Sequence, residues 1–339
     1  MDATCQSRTS IGQNCTVSGG RNVHICGFNT IKKYFMIKAM QILVFIVFLF
    51  IAGGTNAQVE IKTEYIGSSR YTNGDNIRTK GRGSAKVFSF DARIPISVEV
   101  NEAHQPVKFW AVSIGASYTS FSNKAMDADF GPDRIADANL TLLHLWPISQ
   151  RWSMLAMAGA GVYSGHTELS KIGFKNVMGN GGVLFIWHLR KNLDVGLGPV
   201  VNTLLGYPMI FPGVYANWRT LGDYELKVSM VNSLQVSAGK RYNDYFKLNL
   251  IASFDGSMAL ENEGKKKLMF THQYFTTGIQ PEFSISKTWS ISATAGLAAG
   301  RSAYYQERTL KSIFRSDDNI HNPHFGAAPY FSISVKAGL

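Results

Sequence analysis

Side chains alternate between apolar and polar or small along most of the chain, and this period of two is the strongest constraint on its fold. In KVFSFDARIPISVEV (86–100), every second side chain from Phe88 to Val98 is apolar, and most of those between are polar. The stretches 109–118, 288–300 and 329–339 have the same period. Because successive side chains of a β-strand point to opposite faces, the alternation predicts strands, whereas helical periods with capping signals are nearly absent.

We predict fourteen strands, which is an even number. Pro208 and Pro212 interrupt the alternation near the three strands between residues 209 and 241, so that merging two of them would give twelve. The predicted strands are 59–70, 84–100, 106–121, 135–148, 151–166, 178–191, 193–205, 209–219, 224–231, 233–241, 245–257, 267–286, 289–303 and 323–339.

The connections between these strands alternate in length. From the second strand onward every other connection is short and polar, as at 101–105, and several of the others are long, as at 71–83, 122–134 and 304–322. Short turns at one end and long loops at the other are typical of outer-membrane barrels. A soluble β-sandwich has no reason to sort its loops in this way.

The tryptophans lie at the end of the predicted barrel that carries the short connections. All six lie within about five residues of a predicted short turn: Trp110, Trp146, Trp152, Trp187, Trp218 and Trp289. Membrane barrels place amphipathic aromatic side chains in girdles at the membrane interface. Trp152 is out of phase with the outward residues of its strand, so it is either a girdle residue or a filler of the lumen.

Together these patterns predict an all-β fold, a transmembrane antiparallel β-barrel that occupies residues 58–339 and has both termini in the periplasm. The sheet must close because hydrocarbon offers no partner to an open edge. The alternative is a soluble periplasmic or secreted β protein.

An apolar segment precedes the barrel, in MQILVFIVFLFIAGGTNAQ (40–58). Its eleven-residue core, Ile42 to Ala52, would span about 16 Å as a helix, roughly half of the hydrocarbon thickness. Lysines before the run and small residues after it are typical of a signal peptide. We predict a signal peptide at 36–57 that is cleaved before Gln58 during export through the inner membrane to the outer membrane. Residues 1–35 are then an overcalled or disposable leader.

Composition limits the chemistry of the predicted mature chain. Cys5, Cys15 and Cys26 all precede the signal, so the mature part has no disulfide, no cysteine metal site and no thiol nucleophile. Its charge is +7, that is 29 basic minus 22 acidic residues, and the basic residues are scattered. This distribution does not indicate nucleic-acid binding. The expected partners are outer-membrane lipid and lipopolysaccharide, periplasmic chaperones and the barrel-assembly machinery.

Charged and ionisable side chains on the predicted inner face are candidates for lining the lumen. They are Asp91, Arg93, His188, Arg190, Asp194, Glu225, Lys227, Lys247, Asp255 and Lys336. Such residues either set the selectivity of a pore or form cross-lumen pairs that fill a closed interior. No catalytic, cofactor-binding or metal-binding residue is predicted, because the sequence singles out no Ser/His pair and His321 and His324 lack a third ligand.

Several segments resemble a known group of proteins. The signal end GGTNAQ, the opening VEIKTEYIGSSRY, the middle segments YPMIFPGVYANW and YFKLNLIASFDG, and the closing aromatic strand resemble uncharacterised Bacteroidetes outer-membrane β-barrels, a DUF6268-like domain of unknown function. The resemblance covers most of 58–339. It implies a barrel in the outer membrane and transfers no active residues.

The function predicted from these features is a passive pore or a small-solute transporter, and not an enzyme. Two alternatives stay open. One is a barrel enzyme that acts on lipid or lipopolysaccharide, which a Ser/His pair on adjacent strands at the outer rim would favour. The other is a structural or adhesion barrel with a plugged lumen.

Overall fold

A computed structural model describes most of the predicted barrel. It covers residues 57–99, 108–126, 130–203, 208–220, 222–230, 234–263, 266–309 and 323–338. The predicted leader and nearly all of the predicted signal peptide lie outside the described residues. Within those residues, no helix is long and apolar enough to cross a membrane.

Strands make up nearly all of the described fold. In chain order they are β1 (Gln58–Thr72), β2 (Arg78–Glu99), β3 (Lys108–Lys124), β4 (Arg134–Pro147), β5 (Trp152–Ser164), β6 (Val177–Arg190), β7 (Leu193–Asn202), β8 (Met209–Arg219), β9 (Tyr224–Met230), β10 (Leu234–Arg241), β11 (Phe246–Glu263), β12 (Lys266–Ser284), β13 (Trp289–Glu307), β14 (His324–Phe325) and β15 (Ala328–Ala337). Two single-turn 3₁₀ helices, Leu169–Lys171 and Phe174–Asn176, lie between β5 and β6.

The strands form one closed antiparallel ring. Each strand pairs with the next in sequence, and β14 and β15, two segments of the last strand, pair with both β13 and β1. The ring therefore has fourteen strand positions. The predicted antiparallel barrel of fourteen strands is confirmed. The twelve-strand alternative is wrong, because β8, β9 and β10 are separate strands.

The outer face carries the apolar half of the alternation. Ile61 pairs with Phe90 and Val335, and exposed leucines, isoleucines and phenylalanines continue around the ring. All six tryptophans are between 36% and 51% exposed. Trp152 stacks on Trp187 with ring centroids 5.7 Å apart, so it belongs to the outer face and does not fill the lumen.

A β-bulge limits the alternation in β2. The register shifts between Pro95 and Ser97, which places Ser97 opposite Trp110 and Val98 opposite Phe109. Paired residues of a ladder share one face, so the apolar face that the sequence predicted up to Val98 ends at the bulge.

Apolar side chains fill part of the barrel interior. This interior core contains Ile66, Ala85, Val87, Phe121, Ile135, Ala259, Phe270, Tyr274, Ala298, Ala303, Phe325, Ala328 and Tyr330. Arg301 is buried against it, donating to His272 Nε2 (3.1 Å) and to the carbonyl oxygen of Gly83 (2.8 Å). Its guanidinium lies 4.1 Å from the centroid of the Phe325 ring. The lumen is therefore closed at this level.

The barrel wall is shorter at the β9–β10 hairpin than at the neighbouring strand β11. Among the described residues β9 pairs with β8 only at Asn217–Arg219, and β10 pairs with β11 only as far as Phe254. In the part of the chain that the structure describes, the outer parts of β8 (209–216) and β11 (255–263) therefore have no strand between them, and we call this gap the notch.

Side chains from the opposite wall satisfy the free edge of β11. Asn176 Nδ2, in the second 3₁₀ helix, donates to the carbonyl oxygen of Leu260 (2.7 Å), and β11 also contacts β4. Thr119 on β3 donates to Ser257 (3.2 Å between the two Oγ atoms). The outer part of β11 thus crosses the lumen and docks on the inner side of β3 and β4.

Candidate functional site

A polar cavity of about 450 Å³ lies toward the end of the barrel where β1 begins. We call it the vestibule. It is lined from opposite walls by Gln58, Glu60, Lys62, Glu64, Val87, Ser89, Asp91, Arg93, Ser117, Thr119, Tyr215, Asn217, Arg219, Lys227, Ser229, Gln235, Ser253, Asp255, Gly256, Ser257 and Tyr274. Polar inward positions of the alternating strands produce this lining, because the apolar positions face outward.

Charges of both signs line the vestibule in equal number. Its acids are Glu60, Glu64, Asp91 and Asp255, and its bases are Lys62, Arg93, Arg219 and Lys227. Lys62 Nζ lies 2.7 Å from Glu64 Oε1. Lys336 Nζ lies 3.5 Å from Glu60 Oε1 at the mouth. The balance does not favour strong selection between cations and anions.

A hydrogen-bonded network forms the inner end of the vestibule. Tyr274 donates to Glu64 Oε2 (3.1 Å), and Tyr330 donates to Glu64 Oε1. Both tyrosines also belong to the interior core. We call Lys62, Glu64, Tyr274 and Tyr330 the Glu64 network. It joins the charged vestibule to the apolar seal above it.

Four of the ten predicted lumen candidates meet in the vestibule: Asp91, Arg93, Lys227 and Asp255. Lys336 is held at its mouth by Glu60. Glu225 forms ion pairs with Lys247 and Arg241 near the short turns. The described residues contain no group of three or more His, Cys, Asp or Glu placed to hold a metal ion.

Arg190 does not join the other candidates. A bulge between His188 and Arg190 places Arg190 opposite Leu193, which pairs with Trp218 on the outer face. The exposed Arg190 lies beside the turn at 191–192. The sequence assigned it to the lumen because the alternation was extended through the bulge.

Four charged vestibule residues were missed from the sequence, three on β1 and Arg219 at the end of β8. Glu60, Lys62 and Glu64 lie on β1 at alternate positions of VEIKTEYIG, between the outward Ile61, Thr63 and Tyr65. Their signal was present in the same period of two that identified the strand.

The structure brings together a serine, a histidine and an aspartate that the sequence did not single out. Ser153 Oγ lies 2.8 Å from His188 Nε2, and His188 Nδ1 lies 2.7 Å from Asp194 Oδ1. The three residues occupy adjacent strands β5, β6 and β7, and the spacing is that of a hydrolase triad. However, Ser153 is 0% exposed and the row lies near the short turns, so a substrate cannot reach its hydroxyl. We interpret the row as a structural hydrogen-bond chain.

The closed ring, the outward apolar belt and the charged interior define the class of transmembrane β-barrels. The chain belongs to the family described as "Domain of unknown function (DUF6268)", whose model matches residues 53–338. The predicted resemblance to this family is confirmed, whereas the Bacteroidetes origin stays a prediction. No curated protein matches the chain.

Solved structures of outer-membrane proteins are similar to the chain only at a low level. An outer-membrane channel from Pseudomonas putida F1 is 8% identical with a TM-score of 0.39, and the match covers 84% of this chain and 95% of that one. The translocator domain of the autotransporter NalP from Neisseria meningitidis is 11% identical (TM-score 0.35; 92% and 98% covered). The outer-membrane protease OmpT from Escherichia coli is 6% identical (TM-score 0.27; 84% and 98% covered). Their different activities leave function to be argued from this chain.

Proposed function

We propose that the protein is an outer-membrane transporter for small solutes, and that it is not an open passive pore. The observation that carries the proposal is the vestibule, a cavity of about 450 Å³ with converging charged groups, sealed at one end by the interior core. Cavities of roughly 300–1,000 Å³ with a few convergent polar groups are typical of small-molecule sites. A wide diffusion pore would need a continuous lumen, which the core interrupts.

Balanced charge supports a polar solute that is neutral or zwitterionic. Four acids and four bases face the vestibule, so a solute carrying both signs finds a partner for each. A solute with one net charge meets equal numbers of like and opposite groups.

The alternatives have less support. A hydrolase would need an accessible nucleophile, and Ser153 is buried at the centre of the serine–histidine–aspartate row. A purely structural barrel accounts for the interior core, but it gives no reason for a charged cavity beside that core.

Outer-membrane location through a cleaved signal is part of the proposal. The apolar outer face and the tryptophan girdle support residence in a membrane. The protein isolated from outer-membrane fractions should begin at Gln58 or within a residue or two of it when its N-terminus is sequenced. Retention of 36–57 would contradict the export route.

Uptake by proteoliposomes tests transport directly. Wild-type protein should admit small zwitterionic and neutral polar solutes, while steady conductance in planar bilayers stays low because the core seals the lumen. Lys227→Glu makes the lining net negative and should shift the uptake ratio severalfold toward small cations.

The matched control is Lys287→Glu, which makes the same change of charge at an exposed short turn and should leave the ratio unchanged. Absence of uptake for every solute class, together with silent bilayers, would favour the structural alternative and overturn the proposal.

A further inference from the structure

The notch opens through the apolar belt of the barrel. Ile210 and Val214 on β8 are 71% and 53% exposed at one side of it, and Leu234 and Phe254 flank the other side. These side chains lie on the same outward face as the rest of the belt. The notch therefore faces lipid and not the aqueous phase.

Pro212 reduces the number of unpaired backbone N–H groups at the β8 edge of the notch. Pro212 pairs with Pro199 on β7, and two prolines cannot form a hydrogen-bonded pair because neither has an N–H group. The missing donor of Pro212 consequently points toward the notch, where it leaves no orphan N–H. Within sheets proline is confined to edges, bulges and strand starts, and the unpaired side of Pro212 fits an edge at this part of β8.

A pocket of about 310 Å³ lies behind the notch. Its lining is Asp137, Tyr163, Leu234, Phe254, Asp255, Gly256, Ser257, Met258, Thr271 and Gln273. Leu234 and Phe254 form an outward pair at its mouth, and Asp137 lies on the inner face of β4. The lining includes two carboxylates and no lysine, arginine or histidine.

Two polar atoms of the pocket lack protein partners. Asp137 Oδ1 and Thr271 Oγ1 are both shielded from solvent, and neither has a hydrogen-bond partner among the described residues. The other oxygen of Asp137 accepts from Ser117 Oγ (3.2 Å), which fixes the carboxylate in place. An acceptor left unpaired in a shielded site is costly, and a hydrogen-bond donor brought by a ligand would satisfy it.

The pocket adjoins the vestibule. Asp255, Gly256 and Ser257 line both cavities, so one stretch of β11 separates them.

We propose that the notch admits a small amphipathic molecule with an amine head from the lipid bilayer into this pocket, where its head binds Asp137 and its apolar body packs on Leu234, Phe254 and Met258. The inference rests on the proposed transport function, since the pocket adjoins the vestibule at Asp255–Ser257. The carboxylate of Asp137, which has no lysine, arginine or histidine beside it in the pocket lining, selects the amine head, and the apolar mouth selects its chain.

Photolabelling of the protein in phosphatidylcholine liposomes tests the site. The probe is a single-chain alkylamine with a diazirine near its head, and the expected labels fall on Leu234, Phe254 or Met258. Asp137→Asn should weaken labelling about tenfold or more, the size of a lost charge-assisted hydrogen bond. An alkyl sulfate of equal chain length should not compete.

A further pair of variants keeps the test valid if Asp137→Asn does not fold. Leu234→Trp narrows the mouth and should reduce labelling, whereas Leu250→Trp, on the same outer face but outside the pocket, should not. The amine head can belong to a free amphipathic amine or to a membrane lipid, and phosphatidylethanolamine added to the liposomes distinguishes the two. If this lipid reduces labelling by the probe, the ligand is a membrane lipid.

Two results would overturn the inference. One is equal labelling of wild type and Asp137→Asn, and the other is a loss of labelling when the alkyl sulfate is added. If polar-solute uptake through the vestibule persists in that case, the proposed function stands and only the lateral route falls. If uptake is absent as well, both fall.

Discussion

Glu64→Ala should destabilise the barrel by about 3–5 kcal/mol, the usual cost of removing one partner of a buried ion pair. The carboxylate is 4% exposed and holds Lys62, Tyr274 and Tyr330. Alanine would leave an ammonium group and two tyrosine hydroxyls without their acceptor. The loss is measurable as a lower urea midpoint for unfolding in detergent micelles, and as a lower temperature at which the folded band disappears from unboiled gels.

Glu60→Ala is the matched control for this change. Glu60 lies four residues earlier on the same inner face, but its side chain is 36% exposed and its ion pair with Lys336 is long, so its removal should cost less than about 1 kcal/mol. Equal loss for the two variants would mean that the Glu64 network does not hold the vestibule to the interior core.

Ile61→Arg should cost about 2–4 kcal/mol if its position lies near the bilayer midplane. Ile61 is 47% exposed and pairs with Phe90 and Val335 on the outer face, so the new charge would lie in hydrocarbon. Ser89→Arg is the control at the adjacent level, because Ser89 pairs with Lys62 and lines the vestibule. Folding yields into liposomes compare the two directly. Equal tolerance would show that the two faces are assigned wrongly.

Strands could be predicted from the sequence because the side-chain period is a local property. Fourteen segments were located, and Trp110 and Trp289 correctly marked the short-turn end. Bulges could not be predicted, since one extra residue at 95–97 or 188–190 leaves the composition unchanged while it reverses the faces beyond it.

Contacts across the lumen could not be predicted from local sequence patterns. Thr119 and Ser257 are 138 residues apart, and nothing in either strand indicates the other. The short β9 and β10 were predicted with nearly their observed bounds, at 224–231 and 233–241, whereas β11 was predicted to end at residue 257 and extends to Glu263. The contact between His188 and Asp194 could have been predicted from the sequence, because the tight turn at 191–192 places the two residues opposite each other. The pairing of Ser153 with that hairpin depends on the long β5–β6 connection, whose register local patterns do not set.

Closure of the ring has a consequence for the order of events during assembly. Glu64 and Tyr330 are separated by 266 residues, and Gly83 and Arg301 by 218, so these contacts join the first strands made to the last. Bringing such distant segments together carries the loop-closure entropy of nearly the whole chain. A chain still missing β15 has no partner for the free edge of β1 and no Tyr330 for Glu64. Sealing of the interior is therefore a late step, and it reports that synthesis and insertion of the last strand are complete.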